Sequence, residues 1–230
     1  MLFSKCSVIP PQRLMRNGLP RWQRFRYVSG CRRDVRLVIE LAQLNVTSRL
    51  LDIGFGTGRL AQGILDTLGS IARYTGVEVS HEHVAWCHTR FAQYAFAEFL
   101  EVDMANDRYR PSGSKVLEAL PLPADAYDVA CLFSVFTHLL PGDVDFYLAE
   151  LSRVLVPGGK VIATFYRDDE SPEHSVNPKD AYGPYENSPL HRVRYNRRHL
   201  AEAFSKHGFT EAGNGIPWLQ NQELVILESR

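Results

Sequence analysis

Short apolar runs alternate with segments of helical periodicity along most of the chain. The apolar run at residues 49–53 stops at glycines and is followed by Leu60, Ile64 and Leu65, which share one helical face. The same strand-then-helix order continues to about residue 165. Because strands that alternate with helices form parallel sheets covered on both faces, the pattern predicts a doubly wound α/β domain. The predicted strands are 49–53, 74–79, 98–102, 127–133 and 160–165, and the predicted helices include 35–44, 81–95 and 143–154.

Two segments interrupt this alternation. Residues 105–125 contain three prolines and a glycine, which predicts a loop with one short helix around 115–120. Residues 168–190 contain four prolines among polar residues and predict a long loop, the candidate lid over an active site. A helix at 198–206 and a strand pair that opens at Gly208 and Phe209 follow. We therefore expect residues 35–230 to form one domain, preceded by a segment at 1–34.

The charge balance argues against nucleic acid and membranes as partners. Lys plus Arg and Asp plus Glu both number 26, so no net field attracts polyanions. No apolar stretch is long enough to cross a bilayer. Four cysteines without a CxxC pair argue against a zinc site or a disulfide framework. We expect a cytoplasmic monomer or homodimer that binds a small molecule and no metal.

The first 33 residues depart from this balance, because they contain Lys5 and seven arginines with no acidic residue. Such a bias is also typical of a transit peptide or an RNA-binding arm. We favour a third interpretation, in which residues 1–34 cap the active site and their cations balance an acidic cofactor pocket.

The sequence DIGFGTG at residues 52–58 lies where the first strand gives way to a helix, the position at which α/β sheets bind ligands. Glycines let a turn take positive φ and let a ligand approach the backbone. Glu78 ends the second strand, where a carboxylate can accept hydrogen bonds from ribose hydroxyls. The pattern therefore predicts a nucleoside-containing cofactor.

The spacing of the glycines and the acid before them discriminate between two cofactor classes. A dinucleotide fingerprint is GxGxxG, whereas the third glycine here is Gly58 and residue 59 is Arg59. Asp52, two residues before the first glycine, would repel a pyrophosphate but attract the ammonium group of a methionine tail. Charge therefore argues against NAD. Asp52 could alternatively cap the following helix, and Glu78 could be a surface acid.

At these residues the chain resembles the class I S-adenosylmethionine-dependent methyltransferases, and the resemblance covers roughly residues 49–165. Five segments match the family's motifs in order: LLDIGFGTG at 50–58, GVEVS at 76–80, EVDM at 101–104, YDVACLFSVFTH at 127–138 and LSRVLVPGGK at 151–160. Phe55 stands where the family often has cysteine or serine. The resemblance implies a seven-stranded sheet of order 3-2-1-4-5-7-6 with an antiparallel last strand, which we place at 223–227.

The resemblance also implies the cofactor, S-adenosylmethionine, which leaves as S-adenosylhomocysteine. It implies that Asp103 holds the adenine amino group and that Met104 stacks on the ring, although residues 103–106 could also form a plain turn. The residues expected to bind the cofactor are Asp52, Gly54, Gly56, Thr57, Gly58, Glu78, Val79, Asp103, Met104 and Ser134.

Methyl transfer from a sulfonium is an in-line displacement, so positioning of the acceptor can supply much of the catalysis. A hydroxyl acceptor also needs a group that removes its proton, and His138, in the loop after the fourth strand, is the candidate general base. His138 could instead be structural. We expect O- or N-methylation of a small acceptor. The alternatives are a non-catalytic cofactor-binding module that acts through a protein partner and a nicotinamide-dependent oxidoreductase.

Overall fold

The strands and helices follow the alternation predicted from the sequence. The computed structural model describes residues 9–15, 24–104, 118–179, 190–213 and 215–230. These residues belong to two compact units, Met1–Val102 and Asp103–Arg230, which we call the N-terminal unit and the C-terminal unit. The predicted class, α/β with a mostly parallel sheet, is confirmed.

The N-terminal unit contains three parallel strands in the order β3-β2-β1. Within it Leu51 pairs with Thr75, and Thr75 pairs with Glu98. Four of the five β1 residues are buried, as expected for a strand covered on both faces. The elements are α1 (Arg24–Ala42), β1 (Arg49–Ile53), α2 (Arg59–Thr67), β2 (Arg73–Glu78), α3 (His81–Phe91) and β3 (Ala97–Glu101).

The C-terminal unit contains the strand order β4-β5-β10-β8. Strand β4 is parallel to β5, and β10 is antiparallel to both β5 and β8. The antiparallel last strand predicted at 223–227 is therefore confirmed as β10. The elements are β4 (Tyr127–Leu132), α4 (Pro141–Val154), β5 (Leu155–Asp168), β6 (His174–Val176), β7 (Val193–Asn196), α5 (Arg197–Lys206), β8 (Phe209–Glu211), β9 (Ile216–Pro217) and β10 (Glu223–Ser229).

Two predicted element starts were wrong, those of α1 and β5, and one predicted loop contains a strand. Helix α1 begins at Arg24, so it runs through the expected boundary between residues 34 and 35. Strand β5 begins at Leu155 rather than at residue 160. Gly158 has a left-handed φ of 76°, and the pairing of β5 with β4 shifts register in this region, so the glycines interrupt the strand without ending it. The predicted lid at 168–190 contains β6, which pairs with β7.

Residues 180–189 of the predicted lid and residues 115–117 of the predicted short helix lie outside the described residues. The assignment of 1–34 as a cap and of 168–190 as a lid stays a prediction. Within the described ranges no helix is long and apolar enough to span a bilayer, and no group of three His, Cys, Asp or Glu side chains could hold a metal ion.

Candidate functional site

The glycine turn between β1 and α2 is left-handed at alternate positions. Gly54, Gly56 and Gly58 have φ values of 73°, 54° and 75°, a region that side chains other than glycine disfavour. The Gly54 N–H donates to the Val77 carbonyl at 2.7 Å, which ties the turn to β2. A Cβ built on Gly56 would meet no described atom within 4 Å. The turn is therefore held against the sheet and has open space at Gly56 where a ligand can approach the backbone.

Glu78 joins the end of β2 to this turn. One carboxylate oxygen accepts the Gly56 N–H at 2.9 Å. The other accepts the N–H groups of Val79 and Ser80 at 2.9 and 3.1 Å. A carboxylate has about four acceptor positions, so three bonds hold Glu78 in place and leave capacity for a ligand hydroxyl. The structure thus brings together Gly56, Glu78 and Val79, and Glu78 is more than a surface acid.

Asp52 is buried at the end of β1, with 4% of its surface exposed. The Tyr74 hydroxyl donates to its carboxylate at 2.7 Å. Burial raises the pKa of Asp52 to about 7, and the Tyr74 hydrogen bond opposes this rise. The alternative role as a helix cap is excluded, because α2 is preceded by Gly58 and has no side-chain cap.

Tyr74 was not predicted as a site residue, although the sheet register could have identified it. Asp52 pairs with Gly76, so Tyr74, two positions earlier, lies on the same face of the neighbouring strand. Diagonal neighbours of this kind are within reach of an aromatic side chain.

Helix α1 contacts the glycine turn through Tyr27. Its hydroxyl lies 3.1 Å from the Thr57 hydroxyl and 3.3 Å from the Thr57 carbonyl, to which it can donate. Burial raises the pKa of Tyr27 well above its usual value, so the hydroxyl stays protonated as a donor. Arg59, the first residue of α2, pairs with the buried Asp34 of α1. Residues 24–34 therefore support the turn as part of a helix, a role that the sequence did not indicate.

Phe55, at the position that is often cysteine or serine in the family, packs between strands. Its ring lies 5.0 Å from the ring of Phe99, edge to face. A Cβ added to Gly76 would lie 2.5 Å from the Phe55 ring. The missing side chain of Gly76 therefore makes room for the large side chain at residue 55.

The two predicted adenine contacts begin the C-terminal unit. Asp103 is exposed, and Met104 is partly buried. The hydroxyl of Tyr147, from α4, donates to the Met104 sulfur at 3.3 Å. This bond fixes the Met104 side chain, and its contact with adenine stays a prediction.

Ser134 lies two residues beyond β4, in a left-handed conformation (φ 58°) that is unusual for serine. Its N–H donates to the Thr164 hydroxyl at 2.7 Å. Its own hydroxyl lies 3.2 Å from the amide of the buried Gln222, and that amide reaches the Tyr166 hydroxyl at 3.5 Å. We call Ser134, Thr164, Tyr166 and Gln222 the Ser134 cluster. Thr164 and Gln222 were not predicted.

His138 ends a short 3₁₀ helix, Phe136–His138, and is 7% exposed. Its Nδ1 lies 3.0 Å from the Leu190 carbonyl. Since a carbonyl only accepts, Nδ1 carries the proton, and the neutral ring has its lone pair on Nε2. Residue 190 also ends the predicted lid, so the structure joins His138 to that segment.

Residues 51–163 match the family model of a methyltransferase domain. An uncharacterized methyltransferase of Geobacillus kaustophilus is 34% identical over 106 residues, which are 43% of this chain and 49% of that protein. The chain thus spans about half the length of this relative. The ubiquinone/menaquinone biosynthesis C-methyltransferase UbiE of Hahella chejuensis is 24% identical over 199 residues, covering 84% of this chain and 70% of that protein.

Among solved structures, a SAM-dependent methyltransferase from Aquifex aeolicus superposes with a TM-score of 0.58. The match covers 85% of this chain and 89% of that chain at 16% identity. At this identity the similarity concerns the fold, which is the Rossmann-like methyltransferase fold with helices on both faces of the sheet.

Proposed function

Because the chain belongs to the class I S-adenosylmethionine-dependent methyltransferases, we propose that it transfers the cofactor's methyl group to oxygen or nitrogen of a small-molecule acceptor. The observation that carries this proposal is the glycine turn with open space at Gly56, joined to the carboxylate of Glu78. S-adenosylmethionine supplies, when bound, an electrophilic methyl group on a sulfonium and leaves as S-adenosylhomocysteine.

The side chains of the N-terminal unit fit this cofactor better than a dinucleotide. Glu78, held by three N–H groups, can accept hydrogen bonds from ribose hydroxyls. The adjacent Asp52 is a second carboxyl group, which a cationic ammonium would stabilise in its ionised form and a pyrophosphate would not. The open space at Gly56 lets the ligand reach the backbone.

His138 is the residue of the C-terminal unit that we propose as general base. The Leu190 carbonyl holds the proton on Nδ1, so Nε2 of the neutral ring can take the proton of an acceptor hydroxyl. For an amine acceptor that arrives unprotonated, His138 would only help to shape the site. In-line displacement then depends on how closely the acceptor is held to the methyl carbon.

The formal net charge of 0 supports a small acceptor rather than nucleic acid or a membrane surface. The partly exposed pair of Phe133 and Trp218, which stack with ring centroids 5.7 Å apart, provides aromatic surface in the same unit. Such surface suits a flat or amphipathic acceptor.

The test measures binding and turnover separately. We expect calorimetry to show binding of S-adenosylhomocysteine and none of NADH. We expect methyl-labelled S-adenosylmethionine to label phenols or amines in an acceptor panel that also contains carbon nucleophiles, since the relative UbiE is named a C-methyltransferase. Binding without any labelled product would instead indicate a non-catalytic module, and binding of NADH would indicate an oxidoreductase.

A further inference from the structure

Arg192 is a partly buried cation without an acidic partner among the described residues. It lies immediately before β7, and its guanidinium carbon is 4.8 Å from the centroid of the Tyr166 ring. Its Nε is buried and has no hydrogen-bond partner in the described part of the chain. The backbone of Arg192 is fixed, because its N–H donates to the Asn177 side chain at 2.9 Å and its carbonyl accepts the Asn177 N–H at 2.8 Å.

The other arginines around it are satisfied differently. Five arginines described in the C-terminal unit each pair with a carboxylate: Arg153 with Glu150, Arg167 with Glu211 and Glu223, Arg194 with Asp168, Arg197 with Glu223 and Arg198 with Glu202. Among the residues that the structure describes, the Arg192 guanidinium has only the face of the Tyr166 ring as a partner, and a cation–π contact does not satisfy its N–H donors. A buried donor without an acceptor is costly, which indicates that an anionic acceptor group is missing at this position.

The position of Arg192 connects it to the residues proposed to handle the acceptor. The Tyr166 ring faces the Arg192 guanidinium, and the Tyr166 hydroxyl accepts a hydrogen bond from the Gln222 amide. The same amide is hydrogen-bonded to the hydroxyl of Ser134, beyond β4. Two residues before Arg192, the Leu190 carbonyl holds Nδ1 of His138. Arg192, the Ser134 cluster and His138 therefore form one connected group at the carboxyl ends of β4 and β5, the edge at which α/β sheets bind ligands.

We propose that the methyl acceptor carries a carboxylate group and that Arg192 binds it. This inference rests on the proposed methyl transfer, for which it names the substrate class. The guanidinium offers a planar fork of N–H donors that matches a carboxylate, and one cation balances one negative charge. A phosphate monoester would bring a second negative charge, and the nearby cation Arg194, opposite Tyr166 in the register of β5 and β7, is already paired with Asp168.

The test uses the full chain saturated with S-adenosylhomocysteine. Binding of acetate, 4-hydroxybenzoate and indole-3-acetate is measured by calorimetry, each beside its neutral primary amide, with phenyl phosphate as a further arm. The variants are Arg192→Gln, Arg192→Lys and, as a matched control, Arg198→Gln, whose side chain is 89% exposed on α5.

We expect at least one acid to bind about tenfold or more tightly than its amide and than phenyl phosphate. Arg192→Gln should abolish that preference, Arg192→Lys should keep part of it, and Arg198→Gln should keep all of it. The inference is overturned if no acid binds better than its amide, if Arg192→Gln retains the preference, or if phenyl phosphate binds best. Intact S-adenosylhomocysteine binding in every variant shows that they fold, whereas loss of that binding in the parent would overturn the proposed function itself.

Discussion

The glycine turn of the N-terminal unit and the Ser134 cluster of the C-terminal unit differ in how far apart their residues lie in the sequence. The bond between Gly56 and Glu78 joins residues 22 positions apart, on neighbouring parallel strands. The bond between Ser134 and Gln222 joins residues 88 positions apart, and that between His138 and Leu190 spans 52. The first group is built from one strand-helix-strand unit, whereas the second depends on the packing of distant segments.

This difference matches the two tasks that we propose. A cofactor that is the same throughout a family can be bound by a compact motif of fixed spacing. Acceptors differ among family members, and residues contributed by separate loops can change without altering the turn. If this division holds, substitutions in the first group should change cofactor affinity, and substitutions in the second should change turnover.

The largest effect that we expect is from His138→Asn. The asparagine amide can still donate to the Leu190 carbonyl, but it cannot accept a proton, so kcat for a hydroxyl acceptor should fall about 10²- to 10⁴-fold. The affinity for S-adenosylhomocysteine should not change. Steady-state kinetics and calorimetry measure the two quantities, and an unchanged kcat in a folded variant would assign His138 a structural role.

We expect a smaller effect from Glu78→Ala, and on the affinity for the cofactor rather than on turnover. This change leaves three N–H groups, of Gly56, Val79 and Ser80, without their acceptor and removes the carboxylate that we propose binds the ribose hydroxyls. The dissociation constant for S-adenosylhomocysteine should rise about 10- to 100-fold, since a charged hydrogen bond contributes roughly 1.5–3 kcal/mol.

Glu98→Ala is the control for Glu78→Ala, because Glu98 lies on β3, is half exposed and pairs with Arg73 at the surface. Its calorimetric affinity should equal that of the parent. Equal losses in both variants would show that the effect of Glu78 comes from general destabilisation of the unit.

The last prediction concerns stability rather than binding or turnover, and it involves Asp52. Its folded pKa of about 7 lies above the ordinary value of 3.8, so between these pH values the folded state holds a proton that the unfolded state has lost. Stability should therefore fall as pH rises from 4 to 7, by at most about 1.4 kcal/mol per pH unit from this group, and level off about one unit above 7.

Asp52→Asn should remove this slope in urea-unfolding experiments at pH 5, 6, 7 and 8. Tyr74→Phe should extend the slope to higher pH, because it removes the hydroxyl that stabilises the ionised carboxylate. Parallel pH profiles for the parent and Asp52→Asn would contradict the raised pKa.

Much of the fold could be predicted because strand and helix periods are local properties of the sequence. The start of α1 was missed although Tyr27, Cys31 and Val35 follow at intervals of four and are all buried. Arginines between these positions mask the apolar periodicity of the helix. Strand β6 could not be predicted from its own three residues, of which only Val176 is apolar, because its extended conformation depends on pairing with β7.

The candidate cofactor residues of the N-terminal unit and the candidate acceptor residues of the C-terminal unit differ in the same way. Asp52, the glycines and Glu78 follow a fixed spacing, so the sequence alone brought them together. No motif or spacing in the neighbouring sequence identifies Gln222 or Arg192 as site residues. Arg192 was singled out because no acid among the described residues pairs with it. That observation requires the packing of β5, β6 and β7, which determines the side chains around Arg192.

The contact between Phe55 and Gly76 constrains how this sequence can evolve. If Gly76 mutated first, the new Cβ would collide with the ring of Phe55, to which it would lie 2.5 Å away. If Phe55 mutated first to a small residue, a cavity would open against Phe99 at a cost of about 3–5 kcal/mol for complete truncation to alanine. Either change alone should destabilise the N-terminal unit, so we expect residues 55 and 76 to change together.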